Sequence, residues 1–240
     1  MMSKIATAQP FADDLIGWDL VSHWVGTDAP VSDEWVDRIG GIPFTFANGY
    51  VKSSDGYRLE NSPYFQNKWG IINGHHPEQG KYYFAAYIDC DVNVEDGKRA
   101  MIIDIGGSGG APSSHASTRC TIYSDGTITN GAKYRNTSAS LVSQTNVSAL
   151  PLGQYVNVKL LCLFDMVSKQ VIAKFLCQGQ LGEIVRTSAS WGNTLYFDAG
   201  NVDNNKYAQI GIGMPCFAGT RFFPNETSKI NYKEIKFYTK

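Results

Sequence analysis

Residues 154–178 read QYVNVKLLCLFDMVSKQVIAKFLCQ, and the alternation within this stretch decides the fold class. Apolar side chains occupy every second position over 156–164 and again over 171–177. This period of two is typical of strands that bury one face and expose the other. Residues 165–169 lie between the two runs and predict the turn of a β-hairpin.

The same alternation appears upstream in residues 82–92, YYFAAYIDCDV. One face of this run is apolar throughout, which predicts a strand that packs on a core. The opposite face carries two tyrosines, one alanine and two aspartates, namely Tyr83, Ala85, Tyr87, Asp89 and Asp91. We therefore expect a half-buried strand with a polar and aromatic outer face.

Further strand candidates are residues 42–51, 100–105, 118–124, 183–190, 194–198, 207–213 and 229–239. The last of these slips phase at Lys233 and Glu234, which predicts a β-bulge at that point. No stretch of ten or more residues keeps an apolar period of 3.6, so little helix is expected. About ten to fourteen strands without helices predict an all-β, two-sheet antiparallel sandwich.

The composition of the 240-residue chain excludes several classes of protein. Hydrophobic residues make up 43% and the formal net charge is −1, whereas disordered chains combine low hydrophobicity with high net charge. The 21 basic and 22 acidic residues leave no basic excess for nucleic acid. The longest apolar run, 160–164, is too short for a membrane helix, and the N-terminus lacks a secretory signal. We expect a protein made in the cytoplasm, with neither nucleic-acid nor membrane partners.

The five cysteines are expected to be small buried hydrophobes rather than metal ligands or disulfides. Their number is odd, their spacing is wide, and no C-x-x-C motif occurs. A tight turn at 165–169 would place Cys162 opposite Ile172, and Cys177 opposite Asn157. The resulting offset of ~17 Å along the strands argues against a disulfide between these two cysteines.

Several segments resemble the concanavalin A-like jelly roll, in particular its laminin-G-like branch. They are Trp35-Val-Asp37 followed by Gly40-Gly41, the aromatic strand at 83–89, MIIDIGGSGG at 101–110, the hairpin at 154–181, and the closing runs AQIGIGMP and KINYKEIKFYTK. The resemblance implies one jelly-roll sandwich over residues 35–240. Residues 1–34 are then an N-terminal arm that docks on a partner, or a first strand. Phage and bacterial surface proteins often carry domains of this kind.

Glycoside hydrolases belong to the same fold family, but their paired-carboxylate motif E-x-D-x-x-E does not occur here. Neither H-E-x-x-H nor G-x-S-x-G is present. Asp89 and Asp91 share a strand face with side chains ~6–7 Å apart, a spacing that glycosidases tolerate, although solvated carboxylates are common on such faces. His75-His76 has too few neighbouring ligands for a metal, and the glycine loop at 106–110 lacks the Gly-Lys-Ser/Thr ending of a phosphate loop. We expect a protein that is not an enzyme.

Two ligand sites are predicted. The first site consists of Tyr83, Tyr87, Asp89 and Trp191. Aromatic rings with a few polar groups beside them suit the binding of sugar rings, and they are also typical of protein interfaces. Segment 196–205 resembles the Asp/Asn metal loop of legume lectins. Its side-chain oxygens, from Asp198, Asn201, Asp203 and Asn205, can bind Ca²⁺. Alternatively, the same residues form a polar turn that needs no cofactor.

The leading functional prediction is a non-enzymatic structural or adhesive component of a larger assembly. The resemblance favours a phage virion protein at the virion surface, such as a capsid decoration, head-fibre or tail-associated protein. Such a protein would form homo-oligomers and contact other virion proteins. The alternative is a carbohydrate-binding, lectin-like module with a glycan partner, and a glycoside hydrolase is the third hypothesis.

Overall fold

The computed structural model describes residues 10–47, 49–61, 69–73, 83–105, 118–132, 141–165, 167–187, 209–213 and 228–240. These residues form two antiparallel β-sheets that pack as a sandwich, with one 3-10 turn at Ala12–Leu15. The all-β, two-sheet architecture expected from the alternation is therefore confirmed.

The described strands are, in chain order, β1 (Asp19–Val25), β2 (Glu34–Val36), β3 (Pro43–Ala47), β4 (Val51–Lys52), β5 (Tyr57–Asn61), β6 (Trp69–Asn73), β7 (Tyr83–Val94), β8 (Arg99–Ile105), β9 (Thr118–Tyr123), β10 (Thr127–Ala132), β11 (Leu141–Asn146), β12 (Val156–Asp165), β13 (Gln170–Cys177), β14 (Gln180–Thr187), β15 (Gln209–Ile212) and β16 (Ser228–Thr239). Sheet A has the order β14-β13-β12-β7-β16-β5-β4, and β1 also pairs with β16. Sheet B has the order β11-β10-β9-β8-β15-β6-β3-β2.

The apolar faces of the alternating strands form the core between the two sheets. On β7 the even-numbered residues of 84–94 are all buried, as the sequence pattern predicts. Trp24 and Trp35 complete one end of this core, and their indole N–H groups donate to the carbonyl oxygens of Ile42 and Val25 at 3.0 and 3.1 Å. These bonds matter because a buried donor without a partner destabilises the fold.

The β12–β13 hairpin forms, but its register differs by one residue from the expected one. Cys162 lies opposite Ala173, and Cys177 lies opposite Val158. The reason is the pleat, because the residues that face the core are even-numbered on β12 and odd-numbered on β13. Only an odd sum of paired residue numbers brings both apolar faces to the same side of the sheet. The separation of the two cysteines along the hairpin remains.

The β-bulge expected near the C-terminus is confirmed. The pairing of β16 with β7 shifts register between Tyr232 and Glu234, which leaves Lys233 as the extra residue. The shift returns Ile235 to the core, so both halves of β16 bury an apolar face. On its other side, β16 pairs with β5 along its first half and with β1 along its second half.

Candidate functional site

The outer face of sheet A changes character along β7. Next to its N-terminal end the outward residues form a small apolar cluster, which we call the apolar patch, consisting of Ala85, Tyr87, Leu161 and Tyr238. Toward its C-terminal end the outward residues become acidic. There they meet polar side chains from β12, β16 and the turn before β5, a set we call the polar patch: Asp55, Asp89, Asp91, Asn157, Lys159, Asn231 and Lys233.

The chain's own N-terminal segment covers the apolar patch. Phe11, Leu15 and Trp18 pack against it, and the Trp18 ring meets the Tyr83 ring edge-on, with centroids 6.4 Å apart. Asp14 binds the ammonium of Lys174 at 2.6 Å, which ties the segment to β13. Residues 10–18 are thus held against sheet A by contacts within the chain.

This cover determines what the predicted aromatic face can do. Tyr87 is only 2% exposed, and burial raises the pKa of its phenol well above the usual range. Its ring is therefore not accessible to a ligand while residues 10–18 are seated. Tyr83 is half-buried beside Trp18, whereas Asp89 points into the polar patch. Trp191 lies outside the described residues.

A single amide organises the centre of the polar patch. The Nδ2 atom of Asn157 donates to Oδ1 of Asp89 at 2.8 Å and to Oδ1 of Asp91 at 3.0 Å. The remaining carboxylate oxygens face ammonium groups, at 3.4 Å from Lys159 to Asp89 and 2.6 Å from Lys233 to Asp91. These contacts fix two carboxylates side by side on a solvent-facing part of the sheet.

The bulge in β16 supplies the ammonium on Asp91. Burial alone lowers the pKa of Lys233, but its hydrogen bond to Asp91 and the charges of Asp91, Asp55 and Asp89 outweigh this effect. The net shift of the Lys233 pKa is upward, so the group stays cationic at neutral pH. In a strand without the bulge, the alternation of side chains would place Ile235 on the same outward face as Lys233. The extra residue returns Ile235 to the core while Lys233 stays outward.

The turn before β5 closes the patch on the side of β16. Asn231 donates to Oδ1 of Asp55 at 3.0 Å and accepts from the Ser53 hydroxyl at 2.9 Å. A Cβ at Gly56 would lie 2.6 Å from both the Asn231 side-chain oxygen and the Tyr232 carbonyl oxygen, so only glycine fits there. Burial raises the pKa of Asp55, but the bonds from Asn231 and Ser53 prevail and lower it overall.

An exposed aromatic ring lies beside the patch. Tyr155, two residues before Asn157, is 43% exposed. Its pKa is raised chiefly by burial, with Arg58 acting to lower it and the charges of Glu60 and Asp91 adding to the rise. Tyr155 directly precedes β12, whose outward residue Asn157 lies opposite Asp91 of β7. Since alternate residues of a strand share a face, Tyr155 lies on the same side of the sheet as Asn157, as an accessible aromatic side chain beside the polar patch.

Sequence reasoning placed Asp89 and Asp91 on one face but missed the side chains that hold them. Asn157 and Lys159 were visible as the outward positions of β12, two residues apart like the two aspartates. A correct register for β12 against β7 would have paired them, since Asn157 lies opposite Asp91 and Lys159 opposite Asp89. No sequence signal pointed to Tyr155.

Metal binding has no support in the part of the chain that the structure describes. Within those residues no group of three or more His, Cys, Asp or Glu side chains could hold an ion. The predicted calcium ligands Asp198, Asn201, Asp203 and Asn205 lie outside the described residues, as does His75-His76. The described residues also include no helix with the length and apolar character that spanning a bilayer requires.

Comparisons with known proteins show a shared fold, but they show no family and no related sequence. No protein-family model matches the chain, and no curated protein sequence matches it either. Among solved structures, the binding domain of botulinum neurotoxin DC in complex with SialylT aligns with a TM-score of 0.58 and 8% identity, over 91% of this chain and 47% of that chain. The Trypanosoma rangeli sialidase in complex with sialic acid aligns with a TM-score of 0.54 and 13% identity, over 91% of this chain and 30% of that one. The chain thus spans less than half of either structure, and the likeness shows a shared β-sandwich fold.

Proposed function

We propose that the protein is a carbohydrate-binding module and that the polar patch, together with Tyr155, is its binding surface. The fold supports this proposal, because similar sandwiches occur in a toxin's binding domain and in a sialidase whose structure contains sialic acid. The observation that carries it is the patch itself. One amide nitrogen of Asn157 bridges two carboxylates beside an exposed aromatic ring.

The chemistry of the patch suits sugar hydroxyls. Carboxylate and amide oxygens accept hydrogen bonds from hydroxyl groups, and lysine ammonium groups donate to the hydroxyl oxygens. Because Asn157, Asp89 and Asp91 already hold one another in place, little side-chain entropy is lost when a ligand binds. The Tyr155 ring offers an apolar plate against which the C–H face of a pyranose can lie.

The charges of the patch favour an uncharged sugar over an acidic one. Lys159 faces Asp89, Lys233 faces Asp91, and Arg58 binds Glu60 at 2.9 Å. An acidic sugar placed here would have to compete with these carboxylates for their cations. We therefore propose a neutral, hydroxyl-rich glycan as the ligand class, which differs from the sialic acid in the sialidase structure.

The expected role in a phage virion stays a prediction, as do homo-oligomer formation and a virion location. The two similar structures favour the carbohydrate-binding alternative. The absence of catalysis also stays a prediction.

A glycan array that carries neutral and sialylated oligosaccharides, run with and without Ca²⁺, tests the proposal. We expect binding to neutral glycans. For the best glycan, calorimetric titration of Asn157→Ala should show affinity reduced about tenfold or more, since two carboxylates lose their shared donor. Tyr155→Ala should lose affinity through the missing ring.

The matched control is Val167→Ala, which truncates an exposed apolar side chain in the β12–β13 turn, far from the patch. It should bind like the unaltered protein. Equal affinity of Asn157→Ala, Tyr155→Ala and the control would contradict the proposed surface. Absence of any glycan bound by the unaltered protein would contradict the proposed function itself.

A further inference from the structure

Two buried thiols meet in the middle of the sandwich. The Sγ atoms of Cys120 and Cys162 are 3.3 Å apart, and both side chains are fully buried. Cys120 belongs to β9 in sheet B and Cys162 to β12 in sheet A, so this contact crosses the core between the sheets. Along the same inner face of sheet A, Cys90 and Cys177 are separated by Val158, which pairs with both.

We propose that Cys120 and Cys162 are a disulfide site, and that its oxidation joins sheet A to sheet B. A disulfide has an S–S distance of ~2.05 Å, so the two sulfur atoms need to approach by only about 1.3 Å. A change of χ1 rotamer at either cysteine moves its sulfur atom by more than this distance. The Asn130 amide, which donates to the Cys120 sulfur at 3.2 Å, can keep this contact because a disulfide sulfur still accepts weakly.

Burial determines when this bond can form. The hydrogen bond between the thiols, together with burial, raises the pKa of Cys162 well above its usual range, so the folded protein contains almost no nucleophilic thiolate there. The bond therefore forms while the chain folds and both thiols are still open to solvent. The folded, reduced protein resists the same oxidant.

The reaction is a thiol–disulfide exchange with a small-molecule disulfide such as oxidised glutathione. One cysteine thiolate attacks the glutathione disulfide, forms a mixed disulfide and releases one glutathione thiolate. The second cysteine thiolate attacks the protein sulfur of the mixed disulfide and releases the second glutathione. The protein loses two electrons and two protons in total, and both electrons pass to glutathione.

The test compares full-length protein refolded from denaturant in a glutathione redox buffer with protein refolded in excess dithiothreitol. Alkylation followed by intact-mass measurement should find three free thiols in the first sample and all five in the second. Tryptic digestion of the first sample should link the peptide 120–133 to the peptide 160–169. Expression in a host with an oxidising cytosol gives the same comparison without refolding.

The linked protein should also melt higher, by roughly 10 °C, because the bond closes a loop of about forty residues and thereby restricts the unfolded chain. Cys162→Ala should lose both the cross-link and the oxidation-dependent shift, whereas the matched control Cys90→Ala should keep both. Five free thiols in the redox-refolded protein would overturn the proposal. A link to Cys90, Cys177 or Cys216 instead of the Cys120–Cys162 link would overturn it as well.

Discussion

Replacement of Tyr87 by alanine distinguishes a covered aromatic side chain from a ligand plate. The structure places the Tyr87 ring beneath residues 10–18, with 2% of its surface exposed. Truncation of a buried aromatic ring to alanine costs about 3–5 kcal/mol. We take about 3 kcal/mol here, because the cluster is small and its cover can partly collapse into the gap.

For a chain of this length, 3 kcal/mol corresponds to a melting temperature roughly 6–12 °C lower. Thermal and urea denaturation followed by circular dichroism measure this loss for Tyr87→Ala. The control Tyr87→Phe keeps the ring and should lose less than about 1 kcal/mol, because only the hydroxyl is removed. An alanine variant that is as stable as the original protein and has lost glycan binding would refute the buried role of Tyr87.

Three further predictions concern stability. Gly126→Ala should lower the free energy of unfolding, measured by urea denaturation, by about 2 kcal/mol or more, because φ is +85° and the new Cβ would lie 2.3 Å from the Val147 carbonyl oxygen. The control Gly97→Ala, where φ is +66° and the space around the new Cβ is open, should lose only about 1 kcal/mol. Burial raises the pKa of Tyr57 to about 12 in the folded protein, whereas the pKa of an unfolded tyrosine is ~10. The free energy of unfolding should therefore stay level up to pH ~10 and fall as the pH rises toward 12, and a level profile through this range would contradict the burial of Tyr57. Asp14→Asn should lower the free energy of unfolding by less than about 1 kcal/mol, because its ion pair with Lys174 is partly exposed. The same variant should be cleaved faster by proteases within residues 10–18, and an unchanged cleavage rate would show that the ion pair does not secure this segment.

Local periodicity predicted the long strands well, because a period of two is a property of neighbouring residues. The runs that became β7, β12 and β13 each alternate over seven or more residues, and the run that became β16 does so on either side of its bulge. The bulge was also predictable, since a break in phase is visible in a single strand. Short strands such as β2 were not predicted, because three residues are too few to display a period.

Contacts between distant parts of the chain were beyond sequence reasoning. The Cys120–Cys162 contact joins strands of different sheets, and strand periodicity says nothing about how the sheets face each other. The seat of residues 10–18 on sheet A was missed for a similar reason, because Trp18 and its apolar neighbours do not recur with a strand or helix period. The polar patch required the pairing of β7 with β12 and with β16, and neither pairing joins strands that follow each other in the chain.

Nuclear magnetic resonance mapping of a neutral oligosaccharide on the isotope-labelled, full-length protein tests the central claim most directly. We expect the largest chemical-shift changes at the side-chain amides of Asn157 and Asn231 and at the backbone amides around Asp89 and Tyr155. Residues of sheet B, such as Ile122, should remain unchanged. Shifts that cluster on sheet B, or that appear only along residues 10–18, would contradict the assignment of the polar patch as the binding surface.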